Sequence, residues 1–165
     1  MTNEFSVRYM IYTAHWSVAI DKFESPLTKR KNMNFRKYLW STLALFVFIF
    51  FYEMLVHGFI LMGMYEATIN VWRDFAEMEA RMPLAMCFQL ALSAWSAFVF
   101  SQVYPEGGIK NGLLFGLFFG VFAGILTASW YLWLKVPATL GLSWLISGIV
   151  EGLGGGLVLG SIYRK

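Results

Sequence analysis

Four long apolar segments, nearly free of charge, limit what this 165-residue chain can fold into. They cover about residues 38–64, 83–103, 111–134 and 139–163. Each is as long as the roughly 20 residues that an α-helix needs to cross the hydrocarbon core of a bilayer. Charged residues make up only 14% of the chain, against about 25% in ordinary soluble domains. The sequence therefore predicts an all-α membrane protein, a bundle of four transmembrane helices with short loops, and excludes a soluble enzyme.

The positions of the basic residues predict how the four segments are oriented. If both chain ends lie in the cytoplasm, ten of the 13 Lys and Arg residues fall on the cytoplasmic side and three on the outer side. Cytoplasmic loops of membrane proteins carry such an excess. We therefore expect a multi-pass protein of the cell inner (plasma) membrane, with both termini cytoplasmic. The net charge of +3 arises from basic residues in the chain ends and loops that flank the apolar segments. The lipid bilayer is therefore an expected partner and nucleic acid is not.

Residues 1–37 form a basic, more polar stretch that precedes the single transmembrane domain, residues 38–165. Two interpretations of it stay open. It is a cytoplasmic tail drawn to anionic lipid by its basic residues, or residues 1–32 are an upstream extension, because Met33 to Lys37 resembles the natural start of an inner-membrane protein. The first outer loop is expected to hold a short surface segment over residues 72–82, and Pro83 is expected to open the second span.

Glycines recur every four residues in the third and fourth segments, which places them on one helix face in each. Small residues allow helix backbones to approach closely in a membrane. We predict that the two stripes, a pattern known as a glycine zipper, pack against each other, and homo-oligomer contact is the alternative. The stripes comprise Gly112, Gly116, Gly120 and Gly124, and Gly148, Gly152, Gly156 and Gly160.

Three ionisable residues interrupt the apolar segments: Glu53 and His57 in the first and Glu151 in the fourth. A charge in mid-bilayer costs at least about 2.5–3.5 kcal/mol, so such groups face the bundle interior and indicate function. A rise of about 1.5 Å per residue predicts that Glu53 and Glu151 lie at a similar depth. The same estimate puts Gln89 between His57 and the two acids. These four residues are the predicted transport or ion-binding site.

Several uses of this cluster stay open. The histidine and the acids could serve a structural role, or carry a proton or cation coupled to a small solute, or hold a metal ion. Haem is disfavoured because His15 and His57 are the only histidines. We predict no catalytic residue and no cofactor, and leave the metal undetermined. The leading hypothesis is proton- or cation-coupled transport of a small solute. The alternative is a non-catalytic subunit or assembly factor of a larger membrane complex.

The plan of four short helices with a glutamate in the first, Glu53, resembles small multidrug-resistance transporters. A carboxylate near a glycine stripe is similar to the proton-carrying subunit of rotary ATP synthases. Neither resemblance extends to a motif. The acidic outer loop and the second acid, Glu151, depart from the former, and four spans instead of two depart from the latter, so the resemblances imply proton or cation handling by plan alone.

Overall fold

The computed structural model describes residues 33–164, and every regular element in that range is helical. The predictions for residues 1–32 fall outside the described residues. Four helical spans are long and apolar enough to cross a membrane, which confirms the predicted all-α fold. The helices, in chain order, are α1 (Phe35–Leu55), the short α2 (Met62–Glu66), α3 (Phe75–Val103), α4 (Ile109–Ser129) and α5 (Ala138–Ile162).

The first span ends in an irregular turn instead of continuing as regular helix to residue 64. The α1 helix passes into a π-helical turn, Val56–Ile60, in which the Leu61 N–H donates to the Val56 carbonyl at 2.8 Å. After this turn the chain forms α2, and Met64 and Tyr65 pack against residues at the start of α5. Single π turns occur often at functional sites, and this one contains His57.

The second span begins at Phe75, eight residues before the predicted start at Pro83. Asp74 caps the helix, because its Oδ1 accepts a hydrogen bond from the Glu77 N–H at 2.7 Å. Pro83 therefore lies inside α3, where it removes one backbone hydrogen bond without ending the helix. The predicted surface segment is the beginning of α3. At about 1.5 Å per residue this 29-residue helix exceeds the bilayer core of roughly 30 Å.

The helices pack in the spatial order α3, α1, α5 and α4, since α1 contacts both α3 and α5, and α5 contacts α4. One buried apolar cluster lies where α1 begins and another where it ends. At the first of these ends, the Lys37 Nζ donates to the Arg164 carbonyl at 3.1 Å. The beginning of α1 and the end of α5 therefore share one face of the bundle, and α2 lies at the opposite face, called the α2 face below.

The glycines of α4 and α5 lie at the closest backbone contact of the bundle. A Cβ atom added at Gly116 would lie 2.1 Å from the Gly152 carbonyl oxygen, and one added at Gly112 would lie 2.2 Å from that of Gly156. For all eight stripe glycines the added atom would lie under 3.0 Å from backbone of the facing helix or its N-cap. The structure thus places the two stripes against each other within one chain.

Candidate functional site

Glu53 and His57 form the first pair of the candidate site. Glu53 lies in the last turn of α1, and His57 follows four residues later in the π-helical turn. This spacing puts both side chains on one face, with His57 Nε2 3.4 Å from Glu53 Oε2. The pair is not sealed off, because 43% of the Glu53 side chain and 31% of the His57 side chain remain accessible.

Glu151 of α5 brings a second carboxyl group to Glu53. The two carboxyl groups interact electrostatically where α1 packs against α5. Small residues of α5 permit this approach: a Cβ added at Gly154 would lie 2.3 Å from the Phe48 ring of α1. We refer to Glu53 and Glu151 as the carboxyl pair.

Tyr52 fixes α1 to α5 beside the carboxyl pair. Its hydroxyl donates to the Ser147 carbonyl at 2.8 Å and lies 3.2 Å from the Ser147 hydroxyl. Ser147 is one turn from Glu151 on α5, so this hydrogen bond fixes the register of the two helices at the level of the acids. The aromatic ring of Tyr52 stacks on Phe48 of the preceding turn of α1.

Tyr65 of α2 connects His57 to α5. The His57 Nδ1 lies 2.5 Å from the Tyr65 hydroxyl, and the Trp144 indole N–H donates to that hydroxyl at 2.8 Å. Tyr65 lies outside the membrane spans. Burial raises the pKa of the Tyr65 phenol above its ordinary value, the Trp144 hydrogen bond lowers it, and the charge of Glu53 raises it further. The net effect is a rise, so Tyr65 is a neutral hydroxyl at physiological pH.

Gln89 does not join this site. Its Nε2 donates to the Phe46 carbonyl of α1 at 3.1 Å, and Phe46 precedes Glu53 by seven residues, which is about 10 Å along the helix. The prediction that Gln89 lies between His57 and the acids is therefore wrong. Its physical reason is the early start of α3 at Phe75, which places Gln89 further from the α2 face. Gln89, with buried Ser93 and Ala97, instead packs α3 on α1.

The part of α3 at the level of the carboxyl pair is exposed. Counted from the contact between Gln89 and Phe46, the antiparallel α3 reaches the level of Glu53 near Met82 and Pro83, and both of these residues are exposed. All eleven residues of α3 from 75 to 85 are exposed. The accessible parts of Glu53 and His57 therefore lie at the level of this exposed part of α3.

Within residues 33–164, no group of three or more His, Cys, Asp and Glu side chains is arranged to hold a metal ion.

Sequence reasoning did not identify Tyr52, Tyr65, Trp144 or Ser147. Trp144 and Ser147 precede Glu151 by seven and four residues, so helical spacing from Glu151 could have indicated both. Nothing in the sequence indicates Tyr65, because the irregular turn that brings it to His57 has no simple pattern.

Comparison with models of known protein families, with curated proteins and with solved structures finds no match to this chain.

Proposed function

We propose that this protein couples the uptake and release of a proton at the carboxyl pair to the movement of a small solute across the cell inner membrane. The observation that carries the proposal is the electrostatic interaction between Glu53 and Glu151, which lie on two different helices that are long and apolar enough to span a membrane. Two charged carboxylates that interact in this way repel each other, and a shared proton removes that repulsion. Loss of this proton changes the force between α1 and α5.

The partial exposure of the site supports the coupling to a solute. Glu53 and His57 are both partly accessible, so a solute that reaches the exposed surface of the bundle at their level can contact them. A cationic solute can replace the proton between the carboxylates, because both satisfy the same negative charge. The proton and the solute then compete for one site, which is a sufficient condition for exchange.

The experiment uses the purified protein in liposomes that contain a pH-sensitive dye. An imposed pH gradient is followed without solute and with tetramethylammonium, acetate or glycine, as cationic, anionic and zwitterionic probes. We expect at least one probe to change the internal pH through the native protein. Glu53→Gln and Glu151→Gln should abolish that change, whereas Glu79→Gln, an exposed acid near the start of α3, should keep it. Equal rates for the native protein and both site variants with every probe would refute the proposal.

A second candidate is a non-catalytic subunit or assembly factor of a larger membrane complex, or a homo-oligomer. The observation that favours it is the beginning of α3, where every residue from 75 to 85 is exposed. This candidate predicts that the protein purifies with stoichiometric partners and that the double variant Glu53→Gln, Glu151→Gln assembles with them normally. Purification of a monomer without partners would count against it.

A further inference from the structure

A chain of hydrogen-bonding groups leads from the carboxyl pair to the α2 face. It starts at Glu53 Oε2, 3.4 Å from His57 Nε2, and continues from His57 Nδ1 to the Tyr65 hydroxyl at 2.5 Å. The two ring nitrogens of His57 therefore face opposite ends of the chain. The last member, Tyr65, lies beyond the membrane spans.

The Trp144 hydrogen bond favours one polarity of the chain. An indole N–H can only donate, so the Tyr65 oxygen accepts from Trp144 at 2.8 Å. The hydroxyl proton of Tyr65 is then free to donate to His57 Nδ1. A neutral His57 that accepts at Nδ1 carries its proton on Nε2, the ring nitrogen that lies 3.4 Å from Glu53 Oε2. Each donor in this arrangement meets an acceptor, whereas the opposite tautomer would set the Nε2 lone pair against an ionised Glu53.

Such a chain can deliver a proton without moving a heavy atom far. A proton from water binds the Tyr65 oxygen, and the original Tyr65 O–H bond breaks as a bond from that proton to His57 Nδ1 forms. The His57 Nε2–H bond breaks as a bond to Glu53 Oε2 forms. The net result is one proton gained by Glu53, with Tyr65 again a phenol and His57 neutral in the other tautomer. His57 returns to its first tautomer, with the proton on Nε2, when its ring rotates or when a proton passes back along the chain.

We propose that Tyr65 and His57 are the proton-entry route to the carboxyl pair from the α2 face, and that Trp144 is the positioning residue that orients the Tyr65 hydroxyl. The inference rests on the proposed proton exchange at the carboxyl pair. It adds the residues through which the proton passes and the face of the bundle from which it enters. On the membrane side His57 contacts Glu53, and Glu53 interacts electrostatically with Tyr52 and Glu151. Tyr65 is the one titratable group that contacts it from the α2 face among residues 33–164.

The first test is nitrogen NMR of histidine-labelled protein in lipid. The chain has two histidines, so His15→Gln leaves His57 as the single signal. We expect an unprotonated Nδ1 and a protonated Nε2 at neutral pH. Tyr65→Phe should shift the tautomer population towards Nδ1–H, and Tyr131→Phe, an exposed tyrosine at the end of α4, should leave it unchanged. A protonated Nδ1 in the native protein, or an identical spectrum for Tyr65→Phe, would overturn the proposal.

The second test measures how fast the carboxyl pair gains a proton after a pH jump, from the infrared absorption of its carboxylic-acid group. Tyr65→Phe should slow this step by at least about tenfold, within the range expected for loss of a proton-transferring group. Trp144→Phe keeps an aromatic ring and the Tyr65 hydroxyl, and should slow it less. If the native protein shows no response, the proposed function itself fails. If the native protein responds and both variants match its rate, only the entry route is wrong. Should Tyr65→Phe not fold, the Trp144→Phe rate decides.

Discussion

At the scale of single residues, the site depends on two kinds of contact. Some are imposed by the geometry of one helix, and others join residues that are far apart in the sequence. Glu53 and His57 meet because they are four residues apart, and the sequence predicts this contact by spacing alone. Glu151 was predicted at a similar depth from helix rise, and the structure brings it to Glu53. The depth of Gln89 counted from helix rise is wrong, because that depth depends on the residue at which α3 begins.

Tyr52 allows a prediction at this scale. Tyr52→Phe removes the hydrogen bond to the Ser147 carbonyl while keeping the ring that stacks on Phe48. We expect the free energy of unfolding to fall by about 0.5–1.5 kcal/mol, the net value of one such hydrogen bond. The measurement is denaturant titration of the protein in mixed micelles. Tyr131→Phe, at an exposed position, is the control and should change little; equal stability of all three proteins would contradict the role given to Tyr52.

At the scale of helices, α4 and α5 are the pair whose contact the sequence indicates most directly. A four-residue glycine period predicts which face of a helix makes the contact, and this prediction does not change when the predicted helix ends are wrong by a few residues. The ends themselves were less predictable. Proline at position 83 suggests a helix start, but Asp74 supplies a cap nine residues before that proline, and the proline is accommodated inside α3. The π-helical turn after α1 has no sequence period that would reveal it.

The glycine contact predicts an asymmetry between two Gly→Ala substitutions. Gly116→Ala places a methyl group 2.1 Å from the Gly152 carbonyl oxygen, so α4 and α5 must separate. We expect a loss of about 1–3 kcal/mol in the free energy of unfolding, the usual cost of overpacking. Gly63→Ala in α2 meets no atom within 4 Å and should change stability by less than about 1 kcal/mol, in the stabilising direction. Micelle unfolding curves compare the two, and a Gly116→Ala protein as stable as Gly63→Ala would show that the backbones are not in contact.

At the scale of the whole molecule, four spans place the described ends, residues 33 and 164, on one face and α2 on the other. The excess of Lys and Arg predicts that the shared face is cytoplasmic. In a Cys87→Ser background, Glu66→Cys at the end of α2 should react with a membrane-impermeant maleimide added to intact cells. Lys110→Cys at the start of α4 should react only after the membrane is permeabilised. The reverse pattern would invert the proposed orientation and the side of proton entry with it.

The central claim is that Glu53 and Glu151 share a proton that the protein takes up and releases. Infrared spectroscopy of the protein in lipid tests it most directly, through the carbonyl stretch of a protonated carboxylic acid recorded as the pH is varied. The account predicts a band that changes reversibly with pH and is shifted by Glu53→Gln and by Glu151→Gln, because each acid interacts electrostatically with the other. The band should be absent from the double variant. A band that does not respond to pH, or that one of the single substitutions leaves untouched, would contradict a shared, exchangeable proton.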